Sequence, residues 1–595
     1  MYSLLLDKKE NGKPQKLTEI LPNGMIPNGC ILHKPTGTGA TYSEIKADRP
    51  SIIIEPNVPP IITKASDPKH KDDNIIPVYE GIMPEDIVAK FNKNNPKIIT
   101  TPESFPKVKE AFNQLGIYMY RYAFMLVDES HQNVTEAGYR ESINLIMDDF
   151  FQFDQKALVS ATPLEFSDPR FEDFEVIKIT PTYDNTINID LYPTNNVLET
   201  LKAVLKKNPD RIKFLYINSI DLTHTIMQKL GITGASAVFC SQDSVDKLKR
   251  DYKFKTAYSI WNPEYMKKYN ITTKRFQCAV DIIIDENPDV ILLTDVFFAE
   301  HSIIDPNTDA IQFIGRFRNG VSSVSHIANT NSRLPFRSPV FLKGYIRECE
   351  AVYDALGGFY KNATSVESKE AFHDARKSVP FNQWLDKEGR KDYFALDNFY
   401  HGEIVKSYYH SVDDFTLAYA KCPVFNQKVH NGYFFPAGDY ERLKRENKSL
   451  SQKDIAREVI EQLESIGVCD TMICQDFKKE LEEVDPFIVE AYDTVGKGVI
   501  EALNYSRPRI KEAMIMKRYK EKTTGTEFQQ LLKNSFQVNK KYTLKFVKAE
   551  LKRIYDLLGI IPPETITART INEYFITTET TIKNSKAILV IASKV

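Results

Sequence analysis

A glycine-rich segment is the first feature of this 595-residue sequence whose residue types and spacing suggest chemistry. The apolar run Ile31-Leu32-His33 leads into Lys34-Pro35-Thr36-Gly37-Thr38-Gly39-Ala40-Thr41. A glycine-rich turn between a strand and a helix exposes backbone N–H groups to an anion, and the helix dipole favours phosphate there. Thr41 stands where a hydroxyl would hold Mg²⁺, whereas Ala40 stands where a lysine would reach the β- and γ-phosphates. Taken alone, the segment is more often a plain tight loop.

A pair of carboxylates follows a second apolar run. In Leu126-Val127-Asp128-Glu129-Ser130-His131 the two acids come at the carboxyl end of a predicted buried strand. There Asp128 is suited to hold Mg²⁺ through water, and Glu129 is suited to polarise an attacking water. A lone Asp-Glu pair after a strand is usually a solvated turn, so these acids gain meaning only from the other segments.

Two further segments complete an ordered set of four. Ser160-Ala161-Thr162-Pro163 ends another predicted strand, and Gln312-Phe313-Ile314-Gly315-Arg316-Phe317-Arg318 follows much later. The glutamine and the two arginines are placed to face a nucleotide across a cleft, where arginine stabilises the charge that develops on the γ-phosphate. Four such segments in this order are far more specific than any one of them.

The set resembles the motifs of superfamily 2 helicases. Asp128–His131 is similar to the DExH box, and Ser160–Thr162 is similar to the motif that couples ATP to strand binding. Gln312–Arg318 is similar to the arginine-finger motif. The resemblance implies an ATP and Mg²⁺ site, with catalytic roles for Glu129, Asp128, Gln312, Arg316 and Arg318, coupling roles for Ser160 and Thr162, and metal contacts from Thr41 and Asp128.

The resemblance extends to segments that contact a nucleic-acid strand. Ile54-Glu55-Pro56-Asn57 and Thr100-Thr101-Pro102-Glu103-Ser104 resemble first-lobe motifs, and Leu293-Thr294-Asp295, with Glu300 following, resembles a second-lobe motif. The likeness implies that a strand crosses both lobes near Asn57, Thr101 and Thr294.

The sequence also departs from the family pattern. Ala40 replaces the phosphate-clamping lysine, and His301-Ser302 replaces the glycine expected after Glu300. Arg316 and Arg318 stand closer together than the two arginines of this motif in most members of the family. The family's arginine role is therefore assigned more directly to Arg316 than to Arg318. The adenine-reading glutamine motif is not evident upstream of the loop, which disfavours the DEAD-box RNA helicases specifically.

The replacement of the phosphate-binding lysine by Ala40 determines how fast the site is expected to hydrolyse ATP. Loss of a hydrogen bond to a charged group costs about 1.5–3 kcal/mol, which predicts weak or absent turnover. Lys34 is a candidate substitute cation, and the ordinary alternative is a solvated loop lysine. The loop resembles that of helicase-like proteins from phages and mobile elements that carry a small residue here.

The secondary-structure pattern of the segments that carry these residues predicts two α/β lobes. Short apolar runs bounded by turn residues, with helical patterns between them, indicate parallel sheets covered on both faces. The predicted strands are 29–33, 51–54, 97–100, 123–127 and 157–160, then 213–217, 237–239 and 289–293. We therefore predict an α/β fold of two tandem RecA-like P-loop lobes, followed by a mainly helical C-terminal region. The predicted boundaries are 1–182, 183–335, 336–450 for an accessory mixed α/β region, and 451–595.

The C-terminal region carries weaker signals. Leu544, Val547, Leu551, Ile554 and Leu558 trace an apolar stripe that ends at Gly559, which predicts a helix. A short helix and a hairpin at 578–582 and 587–591 would then complete a winged-helix-like unit, with a structural helical cap as the alternative. Residues 505–553 are basic with interleaved tyrosines, which suits either a phosphate track or a solvated helix face.

Bulk composition narrows the class of protein. A net charge of −2 excludes a globally basic nucleic-acid coat but allows a local basic groove. Seven scattered cysteines fit a reducing compartment, and no apolar stretch is long enough to span a bilayer. We predict a cytoplasmic ATP-dependent helicase or translocase acting on DNA more than RNA, with replication or recombination proteins as partners and no membrane. The alternative is a catalytically silent helicase-like scaffold that binds nucleic acid or a protein.

Overall fold

The computed structural model describes residues 2–278, 280–298, 302–433, 452–466 and 472–594. The chain forms two compact units, residues 1–434 and residues 435–595. The larger unit contains two eight-stranded sheets in which every paired strand is parallel to its neighbour.

The first sheet has the strand order β1-β8-β2-β7-β6-β3-β5-β4. Its strands are β1 Tyr2–Leu6, β2 Cys30–His33, β3 Ser51–Ile54, β4 Ile75–Val78, β5 Lys97–Thr100, β6 Phe124–Val127, β7 Gln155–Ser160 and β8 Glu175–Pro181. Ile52 and Ile54 of β3 join one apolar cluster and Ile53 joins another, since successive side chains point to opposite faces. Apolar cores on both faces explain why the central strands are continuous apolar runs.

The second sheet has the order β12-β11-β13-β10-β14-β15-β9-β16. Its strands are β9 Ile187–Pro193, β10 Lys213–Tyr216, β11 Ser236–Phe239, β12 Ala257–Tyr258, β13 Tyr269–Thr272, β14 Asp289–Thr294, β15 Ser323–Ala328 and β16 Phe425–Val429. Strand β16 lies well beyond residue 335, where the sequence predicts the second lobe to end, yet it pairs with β9. The second lobe therefore also uses residues from the predicted accessory region.

Helices follow most strands of this unit. They are α1 Leu17–Ile20, α2 Ala40–Lys46, α3 Val58–Ser66, α4 Pro84–Lys90, α5 Phe105–Leu115, α6 Met119–Tyr122, α7 Gln132–Thr135, α8 Met147–Gln152, α9 Val197–Lys207, α10 Ile220–Lys229, α11 Gln242–Tyr252, α12 Arg275–Cys278, α13 Ile311–Ile314, α14 Pro339–Asn362, α15 Val366–Ser378, α16 Tyr393–Ser407 and α17 Val412–Ala420. Helix α17 brings Phe415 and Tyr419 into an apolar cluster with Phe214 and Tyr216 of β10.

The C-terminal unit is mainly helical. Its helices are α18 Gln452–Ile466, α19 Met472–Val484, α20 Pro486–Val495, α21 Lys497–Ala502, α22 Arg507–Thr524, α23 Thr526–Ser535 and α24 Leu544–Leu557. The antiparallel strands β17 Lys541–Thr543, β18 Phe575–Ile582 and β19 Ser585–Ser593 form a sheet in the order β17-β19-β18. Val547, Leu551 and Ile554 of the predicted stripe are fully buried.

The predicted fold class, two RecA-like lobes followed by a helical region, is confirmed. Each of the eight predicted strands is present. Cys30, Cys240, Cys349 and Cys422 are buried free thiols. Within the described ranges, no helix combines the length and apolar character that crossing a membrane requires.

Candidate active site

Residues that follow several strands of the first sheet meet at the edge formed by the carboxyl ends of those strands. Strands β2, β7, β6 and β3 are consecutive neighbours in that sheet. The glycine-rich loop follows β2, Asp128 and Glu129 follow β6, and Glu55 follows β3. Because the carboxyl ends of parallel strands lie along the same edge, residues that are distant in sequence become neighbours.

The loop between β2 and α2 has the conformation that its glycines permit. Gly37 and Gly39 have φ values of +75° and +86°, a region that residues with a Cβ rarely adopt. The Thr38 hydroxyl donates to the Pro35 carbonyl over 2.9 Å, and the Lys16 ammonium donates to the Gly37 carbonyl over 3.0 Å. Ala40, at the start of α2, is 2% exposed, so the position of the missing lysine is an apolar buried one.

Thr41 is the centre of a compact polar cluster. Its hydroxyl donates to the Asp128 carboxylate and lies 3.4 Å from a carboxylate oxygen of Glu55. The ammonium of Lys64, on α3, lies 3.2 Å from the same hydroxyl and is paired with Glu55. Burial raises the pKa of Glu55 to about 7 despite Lys64, and the charges of Asp128 and Glu129 add to that rise.

A magnesium ion fits the donor set of this cluster. Mg²⁺ prefers hard oxygen ligands and binds through one or two carboxylates, with water and phosphate completing its shell. The Thr41 hydroxyl and the Asp128 carboxylate supply such oxygens in direct contact. Over the described part of the chain, no group of three or more His, Cys, Asp or Glu side chains is arranged to hold a metal.

Glu129 lies in a buried, positively charged surrounding. Its backbone has a φ of +49°, and its amide donates to the Asp128 carboxylate over 2.9 Å. Burial alone would raise the pKa of Glu129, but the charges of Arg316 and Lys34 hold that pKa low, at about 2. Glu129 is therefore a carboxylate at neutral pH, as a group that polarises water must be. Lys34 itself is only 7% exposed, unlike the solvated loop lysine of the ordinary interpretation.

Two residues of the second lobe reach Glu129 directly. The Gln312 amide donates to a Glu129 carboxylate oxygen over 3.1 Å and to the Thr162 hydroxyl over 3.0 Å. The Arg316 guanidinium donates to the other Glu129 oxygen over 3.2 Å and to the Gln312 side chain over 2.9 Å. The predicted catalytic residues of the two lobes are thus brought together.

Arg318 and the glycine-rich loop also approach each other. The Arg318 guanidinium is paired with Asp281 over 2.6 Å, and a Cβ added to Gly37 would lie 2.9 Å from its Nη1 atom. A Cβ added to Gly315 would lie 2.6 Å from the side chain of Thr36. Glycine at 315 is therefore what lets the second lobe reach the loop.

Ser160 and Thr162 link the DExH-like segment to the second lobe. The imidazole of His131 shares a 3.0 Å hydrogen bond with the Ser160 hydroxyl, which also accepts from the Thr162 amide over 3.0 Å. Burial lowers the pKa of His131 to about 4, so the ring is neutral at physiological pH. Through Thr162 and Gln312 this chain of contacts reaches across the cleft.

Arg140 ties together the two first-lobe segments that are predicted to contact a nucleic-acid strand. Its guanidinium donates to the Pro56 carbonyl over 2.6 Å and pairs with Glu103 over 2.9 Å. Asn57 is half-buried at the N-cap of α3, and Thr101 is buried and accepts from the Ser104 amide over 3.3 Å. The two segments are thus neighbours, as the resemblance implies.

Thr294 is placed differently. Its side chain is fully buried, and its hydroxyl lies 3.0 Å from the imidazole of His326 and 3.5 Å from the Tyr409 hydroxyl. Burial lowers the pKa of His326 to about 3, so this is a neutral internal network. In this conformation a nucleic-acid strand does not reach the Thr294 side chain. Glu300 and His301 of the same predicted motif lie outside the described residues, as does Cys469 of the close cysteine pair.

The basic C-terminal segment is partly committed to internal contacts. Arg507, Arg518 and Arg553 pair with Asp485, Glu490 and Glu550. The Tyr519 hydroxyl is hydrogen-bonded to those of Tyr555 and Tyr574. These residues are less available to phosphates or bases than the sequence suggests, and the phosphate track stays a prediction.

Two residues of the site, Glu55 and Lys64, were not predicted to belong to it. Glu55 carries a usable signal, because it is an acid that directly follows a buried apolar strand. Lys64 carries none, because it meets Thr41 only where α3 passes the loop. A lysine in a short amphipathic helix is ordinarily solvated.

Comparisons with known proteins give low-scoring structural likenesses. No protein-family profile and no curated protein sequence matches the chain. S. cerevisiae Dbp5 bound to RNA and ADP BeF3 is similar over 53% of this chain and 84% of that one, at 16% identity and a TM-score of 0.37. A DEAD box protein from the hyperthermophile Methanococcus jannaschii is similar over 51% of this chain and 82% of that one, at 17% identity and a TM-score of 0.28. The Pyrococcus furiosus Hef helicase domain is similar over 51% of this chain and 93% of that one, at 10% identity and a TM-score of 0.32. Each of these scores is below 0.5.

Proposed function

We propose that the chain is an ATP-dependent helicase or translocase of the superfamily 2 type, acting on DNA in replication, recombination or repair in the cytoplasm. One observation carries the proposal: Gln312 and Arg316 of the second lobe contact Glu129 and Thr162 of the first lobe. A site completed by both lobes makes nucleotide occupancy depend on lobe closure. That dependence is what a motor needs to convert hydrolysis into movement.

Each residue has a role in this proposal. Thr36–Thr41 would wrap the phosphates, with Thr41 and Asp128 holding Mg²⁺, which would neutralise phosphate charge when bound. Glu129 would orient and polarise water, while Arg316 and Gln312 would move from Glu129 to the γ-phosphate as it arrives. Arg318, beside Gly37, would add positive charge at the loop. Asn57 and Thr101 would contact the strand.

The rival function is a nucleic-acid-binding scaffold that does not turn over ATP. The buried apolar Ala40 favours it, because the usual lysine is absent from that position. The two functions differ in whether nucleotide changes strand affinity. A scaffold that uses no nucleotide has no such linkage, whereas a motor must have it.

Binding of a fluorescent single strand, measured with and without a non-hydrolysable ATP analogue, tests the proposal. We expect the analogue to change the dissociation constant for single-stranded DNA and expect weaker binding to RNA of the same sequence. ATP-dependent separation of a tailed DNA duplex would support the helicase form. Strand binding that is indifferent to nucleotide would favour the scaffold, and tighter binding to RNA would overturn the DNA preference.

A further inference from the structure

The cluster around Thr41 contains a cation, Lys64, although Ala40 supplies none. Lys64 comes from α3, which is separated from the end of β3 by three residues and is not part of the loop. Its ammonium lies 3.2 Å from the Thr41 hydroxyl, and Thr41 directly follows Ala40. The side chain of Lys64 therefore lies beside position 40, where the loop has alanine in place of the expected lysine.

We infer that Lys64 binds the β- and γ-phosphates of a nucleoside triphosphate in place of a lysine at position 40. The inference rests on the proposed function and deepens it by naming the phosphate-binding cation. A mobile ammonium with three donors is suited to phosphate, to which it acts as a point charge.

The surroundings of Lys64 explain how it is held without nucleotide. Its side chain is 24% exposed and pairs with Glu55, whose side chain is 4% exposed. A buried carboxylate needs a cation partner, and Lys64 supplies it beside Asp128 and Glu129. Arriving phosphates would offer Lys64 a more highly charged anionic partner than Glu55.

Lys34 is the competing candidate, and the contacts separate the two lysines. Lys34 is buried, and its charge acts on Glu129, the residue proposed to polarise water. Lys64 contacts Thr41 and Glu55, on the side where the loop would bring phosphate and Mg²⁺. Lys34 therefore suits the electrostatics of Glu129, and Lys64 suits the phosphates.

Nucleotide affinity without turnover tests this assignment. Dissociation constants for fluorescent ATP, ADP and AMP are measured by polarisation for the unaltered chain, Lys64→Ala, Lys34→Ala, Ala40→Lys and the double variant Ala40→Lys/Lys64→Ala. Lys90→Ala, an exposed lysine in the last turn of α4, is the matched control. We expect Lys64→Ala to weaken ATP binding at least about tenfold, as loss of a charge-assisted hydrogen bond does. The affinity for AMP, which lacks those phosphates, should change little in Lys64→Ala. The double variant Ala40→Lys/Lys64→Ala should bind ATP more tightly than Lys64→Ala does.

Folding is controlled separately, because Lys64→Ala leaves Glu55 buried without its cation. Glu55→Gln/Lys64→Ala removes both charges and should retain the unaltered melting temperature while still binding ATP weakly. If the unaltered chain binds ATP and both Lys64 variants bind it equally well, the assignment of Lys64 is overturned. A loss confined to Lys34→Ala would also overturn it. If the unaltered chain binds no nucleotide at all, the proposed function itself fails.

Discussion

The guanidinium of Arg316 lies 3.2 Å from the carboxylate of Glu129, although the two residues belong to different lobes. Arg316 and Glu129 are 6% and 8% exposed, so the pair is buried where the lobes meet. In this state the arginine takes the place near Glu129 that a γ-phosphate would compete for. The proposed cycle therefore begins with the exchange of this ion pair for a contact between arginine and phosphate.

Replacing Arg316 should separate nucleotide binding from hydrolysis. We expect Arg316→Ala to lower the single-turnover rate of ATP hydrolysis about 10³- to 10⁵-fold, the range attributed to an arginine finger. Loss of its charge also removes the largest of the charges that lower the pKa of Glu129. Arg250→Ala, on the exposed surface of the same lobe, is the control and should hydrolyse ATP normally. An unchanged rate in Arg316→Ala would remove the arginine from the mechanism.

Asn57 and Thr294 should behave differently despite their common prediction. Asn57→Ala should weaken single-strand binding, because the Asn57 side chain is partly exposed and can contact a strand. Thr294→Val should instead lower the free energy of unfolding by about 1–3 kcal/mol, since it leaves the hydrogen bond to His326 unmade. Strand affinity and urea unfolding are measured on both variants. Weaker strand binding by Thr294→Val at unchanged stability would favour the sequence-based prediction over the buried placement.

Arg140 is expected to position the strand-contact segments. Arg140→Ala removes the links to Pro56 and Glu103, so single-strand affinity should fall while the affinity for ATP stays the same. Arg121→Ala is the matched control, because the Arg121 side chain is 79% exposed in the same lobe. Equal strand affinities for Arg140→Ala and Arg121→Ala would show that the links do not matter for binding.

His326 should make stability depend on pH. Its pKa falls from 6.5 to about 3 on folding, so between these values the unfolded chain binds more protons and stability declines as the pH falls. Glu55, with a pKa raised to about 7, acts in the opposite direction over its own range. We expect the urea midpoint to drop less between about pH 7 and about pH 5 in His326→Asn than in the unaltered chain. An equal drop would mean that His326 is not held neutral by burial.

Much of the fold follows from local sequence pattern. Strands such as β3 and β6 are unbroken apolar runs, because both of their faces are covered. Strands β13 and β15 were not predicted, because they carry polar residues that only tertiary contacts satisfy. Asn270 donates to the Lys213 carbonyl of β10 over 3.4 Å, and His326 is held by Thr294 and the Tyr419 hydroxyl.

The site was predictable where the chemistry follows a strand end. Thr41, Asp128 and Glu129 are found together because they follow β2 and β6, which are separated only by β7 and end at the same edge of one parallel sheet. Lys64 was not predictable, since its contact with Thr41 depends on the direction in which α3 leaves β3. Thr294 shows the converse: the motif can be read from the sequence, but the burial of its hydroxyl against His326 cannot.

The most direct test of the central claim is the rate of ATP hydrolysis with and without single-stranded DNA, for the unaltered chain and Glu129→Gln. The claim is that the two lobes complete a working, strand-coupled ATP site. It predicts that DNA stimulates hydrolysis by the unaltered chain and that Glu129→Gln lowers the rate about 10²- to 10⁴-fold, as loss of a general base does. No hydrolysis by the unaltered chain, or equal hydrolysis by Glu129→Gln, would contradict it.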